Sequence, residues 1–412
     1  MKTRLKIPYS WVVVTLAFAS VAVSTGTNQS IVILFPALLE EFQWSRTVLS
    51  VAPALVGIFS ALGGLAIGAA ADRWDLRFVI SVSGAIAAIG LLLTSRITTI
   101  WQLYIFYGVF VSIGIYGLGT MPQTLIITKW FPKQRGTIIG LVNAGYGVGM
   151  VVFMPLLQRV IGSRGWQNGY LMLALVLGIL APLIFLFQRG HPKTFPKVTD
   201  EPVKKKTQPE ISSFQFLRKL FRLPRYWLCF AQFVLGPLST TPINIHQAAM
   251  MQDKGISPTA ASWIVALSGV GMTFGMLAGG FLSDRVGREK SYTLGTICLL
   301  IGCVSLLLMR SDNLVAPVVY ALFYGFGMGT RPSMDAATAS DLFKNQRFGL
   351  VLGTLATALG IGQLAGPVIG GAVFDLTGSY FVVIVFCMIV AVAATVAIWL
   401  TAPRRGAVKT LA

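Results

Sequence analysis

Apolar stretches of bilayer-crossing length recur twelve times along this 412-residue chain, at 11–38, 46–70, 78–95, 99–128, 136–160, 168–188, 224–250, 258–282, 290–309, 314–339, 349–373 and 379–402. A helix needs about 20 apolar residues to cross the hydrocarbon core. In lipid, only helices and closed barrels satisfy their own backbone hydrogen bonds. Composition agrees: 55% of residues are hydrophobic and 11% charged, against about 25% charged in a soluble domain. That is too little polar surface to cover the chain in water. A soluble enzyme, a disordered chain and a secreted disulfide scaffold are excluded. The fold class is an all-α polytopic membrane protein of twelve transmembrane helices in two pseudo-symmetric six-helix bundles.

Most connections are short. The exception is 189–222, which is polar and basic (Lys204, Lys205, Lys206, Pro209). It divides the chain into an N-terminal bundle, 1–188, a cytoplasmic linker, 189–222, and a C-terminal bundle with a short cytoplasmic tail, 223–412. Orientation follows from the basic residues. With both termini and the linker in the cytoplasm, 26 Lys and Arg lie inside and six outside: Arg46, Arg96, Arg159, Arg164, Lys254 and Arg310. That bias is the positive-inside pattern. It accounts for the net charge of +19 without nucleic acid. The basic N-terminus (Lys2, Arg4, Lys6) precedes a retained first helix, because no small-residue cleavage site follows it. Cys229, Cys298, Cys303 and Cys387 sit inside apolar runs without CxxC or Cys/His spacing, so no disulfide or metal site is expected.

The two bundles repeat each other. Ala71-Asp72-Arg73 matches Ser283-Asp284-Arg285, and Ser45 and Thr47 match Ser257 and Thr259, both at an offset of 212. Gly119-Thr120-Met121-Pro122 matches Gly329-Thr330-Arg331-Pro332 at 210, and Gln134-Arg135 matches Gln346-Arg347 at 212. Parallel repeats of this kind place a substrate site between the bundles near the membrane midplane. Rocking of one bundle against the other then gives alternating access.

Gly280-Phe-Leu-Ser-Asp284-Arg285-Val-Gly287-Arg288-Glu-Lys290 resembles the loop motif of the major facilitator superfamily, with one residue inserted. Gly68-Ala-Ala-Ala-Asp72-Arg73-Trp-Asp75-Leu-Arg77 is its degenerate first-half copy. The resemblance extends over essentially the whole chain and implies the major facilitator fold. Asp72, Arg73, Asp284, Arg285 and Arg288 are then expected to form a cytoplasmic gate: charges beside helix ends can latch two helices together in one state. Three further stretches resemble the monocarboxylate and oxalate/formate transporter-like branch. They are Leu39-Glu-Glu-Phe42-Gln-Trp44-Ser45-Arg46, Lys129-Trp130-Phe131-Pro132-Lys-Gln-Arg135-Gly136, and Gly366-Pro367 followed by Phe374-Asp375-Leu-Thr-Gly378-Ser-Tyr380. The branch implies small organic anions moved with protons or by exchange. Helix 8 lacks the Asp/Arg pair of the animal members. The Arg of helix 8 and the Lys of helix 11 that mark oxalate exchangers are absent too.

Arg331 is the only one of 33 basic residues deep in a span. An arginine there costs about 3 kcal/mol or more, so it should face a wet cavity and have a partner. Its guanidinium fork suits a carboxylate. Asp335, one turn on, is the only deep acid. It is either a proton carrier released when substrate occupies Arg331, or a permanent counter-ion that makes the pair structural. His246 is the second proton-site or substrate-donor candidate; the alternative is a hydrogen-bonded histidine packed against helix 1 or 11. Asn28, Tyr116, Gln123, Asn143, Tyr146, Tyr324 and Gln363 are polar residues inside apolar spans. Each is positioned either to bind substrate or to bond a neighbouring helix. The repeat aligns Met121 with Arg331. Gln123 points about 200° away from Met121 on the helical wheel, so the two should not share a cavity.

The glycine-rich runs Gly145–Gly149 and Gly360–Gly362 lack the strand, helix and Lys-Ser/Thr context of phosphate loops. With no nucleotide, metal or catalytic constellation, no cofactor and no enzymatic activity are expected. The combined expectation is a proton-coupled symporter of small monocarboxylates (lactate, pyruvate or acetate) in the inner cell membrane, working as a monomer. Its alternatives are a proton-independent organic-anion exchanger, a drug efflux transporter and a carboxylate sensor.

Overall fold

The computed structural model describes residues 9–131, 134–190, 212–310, 312–313, 315–343 and 347–405, without the side chains of 60–69, 71, 72, 213 and 405. The side chain of Asp72 and the linker residues Lys204, Lys205, Lys206 and Pro209 therefore lie outside the described residues. The described residues contain helices and no strand. Helices 1 to 6 are Tyr9–Phe42, Arg46–Arg73, Leu76–Thr94, Ile100–Trp130, Arg135–Arg164 and Trp166–Phe187. A short helix, Ser213–Leu220, precedes helix 7, Pro224–Asp253. Helices 8 and 9 are Pro258–Val286 and Arg288–Leu308, and helices 11 and 12 are Phe348–Thr377 and Phe381–Thr401. Helix 10 runs from Val315–Val319 through a widened turn, Tyr320–Tyr324, into Gly325–Phe343. Ten helices are long and apolar enough to cross a membrane among the described residues. Helices 2 and 10 complete the twelve expected positions.

Local chemistry sets the ends. Ser45 caps helix 2 by accepting from Val48 N, and Ser257 caps helix 8 by accepting from Ala260 N, with Pro258 in the first turn. These side chains satisfy amide groups that have no partner within the helix. Helix 11 stops at Gly378, whose φ of 66° suits glycine. Among the described residues helix 5 is interrupted at Ala144, and two further spans break. Helix 4 breaks at Gly119, ahead of Pro122, and helix 7 breaks at Ser239–Thr240, ahead of Pro242. Both breaks lie beside the central cavity, where irregular backbone is tolerated.

Lipid offers no hydrophobic drive for helix association, so close approach and dispersion must supply it. Gly149 of helix 5 shows the requirement: a Cβ there would collide with the carbonyl of Ala22 in helix 1. Helix 1 packs on helix 5, helix 3 on helix 6, helix 8 on helix 10, and helix 7 on helices 11 and 12. Contacts between helices 1–6 and helices 7–12 run mainly through helix 2 with helix 11, helix 5 with helix 8, and helix 1 with helix 7. The start of helix 1, Tyr9, and the end of helix 12, Thr401, share one end of the molecule, here termed the terminal end; the other is the far end.

Candidate functional site

Between these two groups of helices lie two cavities of about 550 Å³ and 710 Å³. They share Asn28, Tyr146, Leu352 and Gln363 and so form one continuous space. The larger reaches Gly349 and Gly353 at the start of helix 11, toward the terminal end. At the opposite limit an amide ladder closes the space. Gln29 and Asn244 face each other across the two groups at 3.4 and 3.5 Å. Gln247 donates to Asn244, and Tyr320 donates to Gln247 Oε1 at 3.0 Å.

Arg331 and Asp335 line the smaller cavity and are each 5% exposed. Arg331 Nη1 donates to the Tyr292 hydroxyl at 3.0 Å and reaches the Gly236 carbonyl at 3.5 Å, while Nη2 approaches Thr296 Oγ1 at 3.4 Å. The guanidinium carbon lies 5.0 Å from the Tyr292 ring centre. Arg331 Nε is buried with no partner. Asp335 Oδ1 accepts from Gln232 Nε2 at 2.7 Å. The two charged groups do not approach within 4.0 Å as an ion pair among the described residues. They remain neighbours one turn apart on helix 10, and each is also held by its own hydrogen-bond partners. An unsatisfied buried donor costs about 1–3 kcal/mol, more when charged. A cation beside a cavity with one donor still unsatisfied is suited to an anion.

The structure sorts the remaining candidates. Asn28, Tyr146 and Gln363 line both cavities, and Tyr116 lines the larger one. Met121 also lines the larger cavity, and Gln123 is absent from both, as the helical wheel requires. Gln123 is fully buried and its Oε1 accepts from Gln188 at 2.6 Å, which makes it a helix-packing residue. Asn143 lines neither cavity and its buried Oδ1 has no partner. Tyr324 stacks on Tyr320 and donates to the Thr240 carbonyl at 2.7 Å, so it supports the cavity from behind.

His246 takes the packed arrangement among the two readings of the sequence. It lines neither cavity and is fully buried toward the far end. One ring nitrogen lies 3.1 Å from both Ser50 Oγ and the Pro367 carbonyl, and the other lies 2.9 Å from the Tyr380 hydroxyl. Phe35 of helix 1 meets it edge-on. This is the packed histidine against helices 1 and 11.

At the terminal end, Arg288 bonds Asp284 at 2.7 Å and Asp341, at the end of helix 10, at 2.9 Å. These charges join helices 8, 9 and 10, and among the described residues no ion pair runs from them to helices 1–6. Arg285 lies over Phe281, and Arg73 is exposed at the end of helix 2. Sequence reasoning missed Gln232, Tyr292, Gln29 and Asn244. Gln29, Gln232 and Asn244 were visible as amides inside apolar runs. Tyr292 was not, because a tyrosine near a helix end carries no distinguishing signal.

Comparison with known proteins agrees with this architecture. The family model described as Major Facilitator Superfamily matches residues 16–246 and again 228–411. Human monocarboxylate transporter 2 is 24% identical over 408 residues, 95% of this chain and 84% of that protein. Rat monocarboxylate transporter 13 is 26% identical over 381 residues, 90% of this chain and 84% of that one. Among solved structures, the nucleoside transporter NupG aligns with a TM-score of 0.75 at 14% identity, covering 96% of this chain and 99% of that one. An inward-facing, occupied bacterial homologue of the human lysosomal transporter Spinster aligns at 0.72 and 16% identity, covering 96% and 97%. The chain belongs to the Major Facilitator Superfamily, on the side of its monocarboxylate-transporter-like branch, and is a multi-pass membrane transporter, not an enzyme.

Proposed function

We propose that the protein moves a small monocarboxylate together with a proton by alternating access. One observation carries this reading: Arg331, the single deep cation, lines the central cavity with its Nε edge unpartnered. A carboxylate that reaches this guanidinium from the cavity would supply an acceptor for it. Asn28, Tyr116 and Tyr146 place neutral hydrogen-bonding groups on the facing wall, and Gln363 of helix 11 lines the same space. One cation with no second basic partner in the cavity balances one negative charge. Similarity to monocarboxylate transporters along most of the chain supports the substrate class.

Asp335 is the proton site. It lies one turn from Arg331 on the same helix and faces the same cavity. Substrate bound at Arg331 alters the field at Asp335, and this links the anion to the proton. Residues 1–188 and 223–412 act as the rocking units, with Asp284 and Arg288 bracing the terminal end of the second. The excess of basic residues on one side supports an inner-membrane orientation with both termini cytoplasmic. The cavity opens toward that side.

The test is uptake of labelled lactate into proteoliposomes, with and without an inward proton gradient. Protein-free vesicles and Arg331→Ala serve as controls. Gradient-driven accumulation that disappears in the variant is the expected result. Uptake indifferent to the gradient removes the symport reading. Uptake that survives Arg331→Ala removes the binding site.

A further inference from the structure

The short helix ahead of helix 7 carries a face that the transport reading does not use. Ser213–Leu220 packs on the terminal ends of helices 7, 10 and 11: Phe216 and Leu220 are buried in one cluster with Tyr226, Phe343 and Val351. The chain turns after Phe221, whose backbone is still helical, and helix 7 begins at Pro224. The short helix therefore sits at the level where the spans leave the bilayer. At about 100° per residue, Phe216 and Leu220 mark only one side of its apolar arc. Leu217, Phe221 and Phe214 carry that arc on to about 160° from Phe216. Phe221 and Phe214 are 42% and 75% exposed. The remaining arc is basic. Arg218 lies about 200° from Phe216 and Lys219 about 300°, with Arg222 continuing the turn between them; all three are exposed. Arg218 and Arg222 enter no ion pair among the described residues.

We propose that this helix is an interfacial anchor that binds anionic lipid headgroups in the leaflet at the terminal end. Three observations support it. The protein covers one side of the apolar arc and leaves Phe214 and Phe221 open on the other, which the acyl boundary of a membrane covers. These aromatics are also continuous with the outer surface of a spanning helix. Trp227, in the first turn of helix 7, is half exposed and donates its indole N–H to the Phe221 carbonyl at 2.7 Å. Its ring centre lies 5.9 Å from that of Phe221. A tryptophan at the start of a span marks the headgroup level. Lastly, the charge is of one sign. Residues 213–225 hold four basic side chains and no acid. With the aromatics at the acyl boundary, the long stems of Arg218, Lys219 and Arg222 reach outward to the phosphates. An anionic leaflet complements that arc, at about fivefold in affinity for each basic side chain near its surface.

The anchor is tested on the full chain in nanodiscs without substrate, so its failure leaves the transport reading untouched. The four native cysteines are replaced by alanine, and Phe214→Cys carries a nitrobenzoxadiazole label. Phosphatidylcholine nanodiscs receive a small fraction of lipid with a nitroxide high on the acyl chain, either phosphatidylglycerol or phosphatidylcholine. Both lipids are expected to quench the label, because it lies at the acyl boundary. Phosphatidylglycerol should be enriched at the label by at least about fivefold, the scale of one basic side chain at an anionic surface. Arg218→Gln, Lys219→Gln and Arg222→Gln together should bring that ratio to about one while quenching by phosphatidylcholine persists, which separates loss of charge from loss of the helix. Arg218→Lys with Arg222→Lys should keep the preference. Inorganic phosphate at matched ionic strength should leave it unchanged. A label quenched by neither lipid would put the face in water and overturn the anchor. Equal quenching by the two lipids, a preference that survives the triple variant, or one that inorganic phosphate abolishes would overturn the assignment to anionic lipid.

Discussion

The two halves of this transporter share a repeat but divide the chemistry unequally. At the cavity, Arg331 and Asp335 project from helix 10, while the matching positions in helix 4 hold Met121 and Leu125. The facing wall carries amides, hydroxyls and two phenols, Tyr116 and Tyr146, among apolar residues. At the far end the same inequality appears: Asp375 has no acidic counterpart near the end of helix 5. The lesson is that the repeat supplies a scaffold with two equivalent walls, and function comes from breaking that equivalence. A buried charge is costly, so one copy carries it and the other supplies neutral partners.

The comparison can be broken at its strongest point. Arg331→Met combined with Met121→Arg moves the cation to the other wall without changing net charge. If the wall matters, kcat/KM for lactate should fall at least about 100-fold, the scale of losing one partner of a buried charged hydrogen bond. Near-normal uptake in the exchanged variant would show that either wall serves. Asp335→Asn should retain exchange of preloaded lactate but lose accumulation, which for a one-to-one symporter amounts to about tenfold per unit of pH gradient. Accumulation equal to that of wild type would remove Asp335 from proton coupling.

Smaller effects sharpen the picture. Tyr292→Phe removes one hydroxyl from Arg331 and should weaken lactate binding about 5-fold, within the range of a single hydrogen bond. Isothermal titration in detergent would read this, and unchanged affinity would mean that Tyr292 does not orient the arginine. Gln123→Leu is the least disruptive to transport. It strands the Gln188 amide, so thermal stability should drop by about 1 kcal/mol while uptake changes less than about twofold. A large transport defect with normal stability would return Gln123 to the substrate site.

How far the sequence could be read depended on the kind of residue. Arg331 and Asp335 were legible because charge in an apolar run is rare and expensive. Gln123 and His246 look as conspicuous but bond neighbouring helices, at Gln188 and at Ser50, Pro367 and Tyr380. A polar side chain in lipid needs a partner, and pattern alone does not say whether that partner is a substrate or another helix. Arg46 and Asp375 were legible only as a topological charge and a motif residue. Their contact joins positions 329 residues apart, a relation that no local window contains.

From the sequence alone came the solvent of the protein, the twelve spans, the repeat and the rank of Arg331 as the residue to explain. These rest on hydrophobic length and on the cost of charge in hydrocarbon, both properties of local composition. Only the tertiary structure decided that Arg331 bonds Tyr292 while Asp335 bonds Gln232, and that His246 bonds Ser50, Pro367 and Tyr380. It alone brought Asp375 of helix 11 to the first turn of helix 2. Those outcomes depend on which helices touch and at what height. Packing distances between backbones determine that, and they act between residues that are remote along the chain.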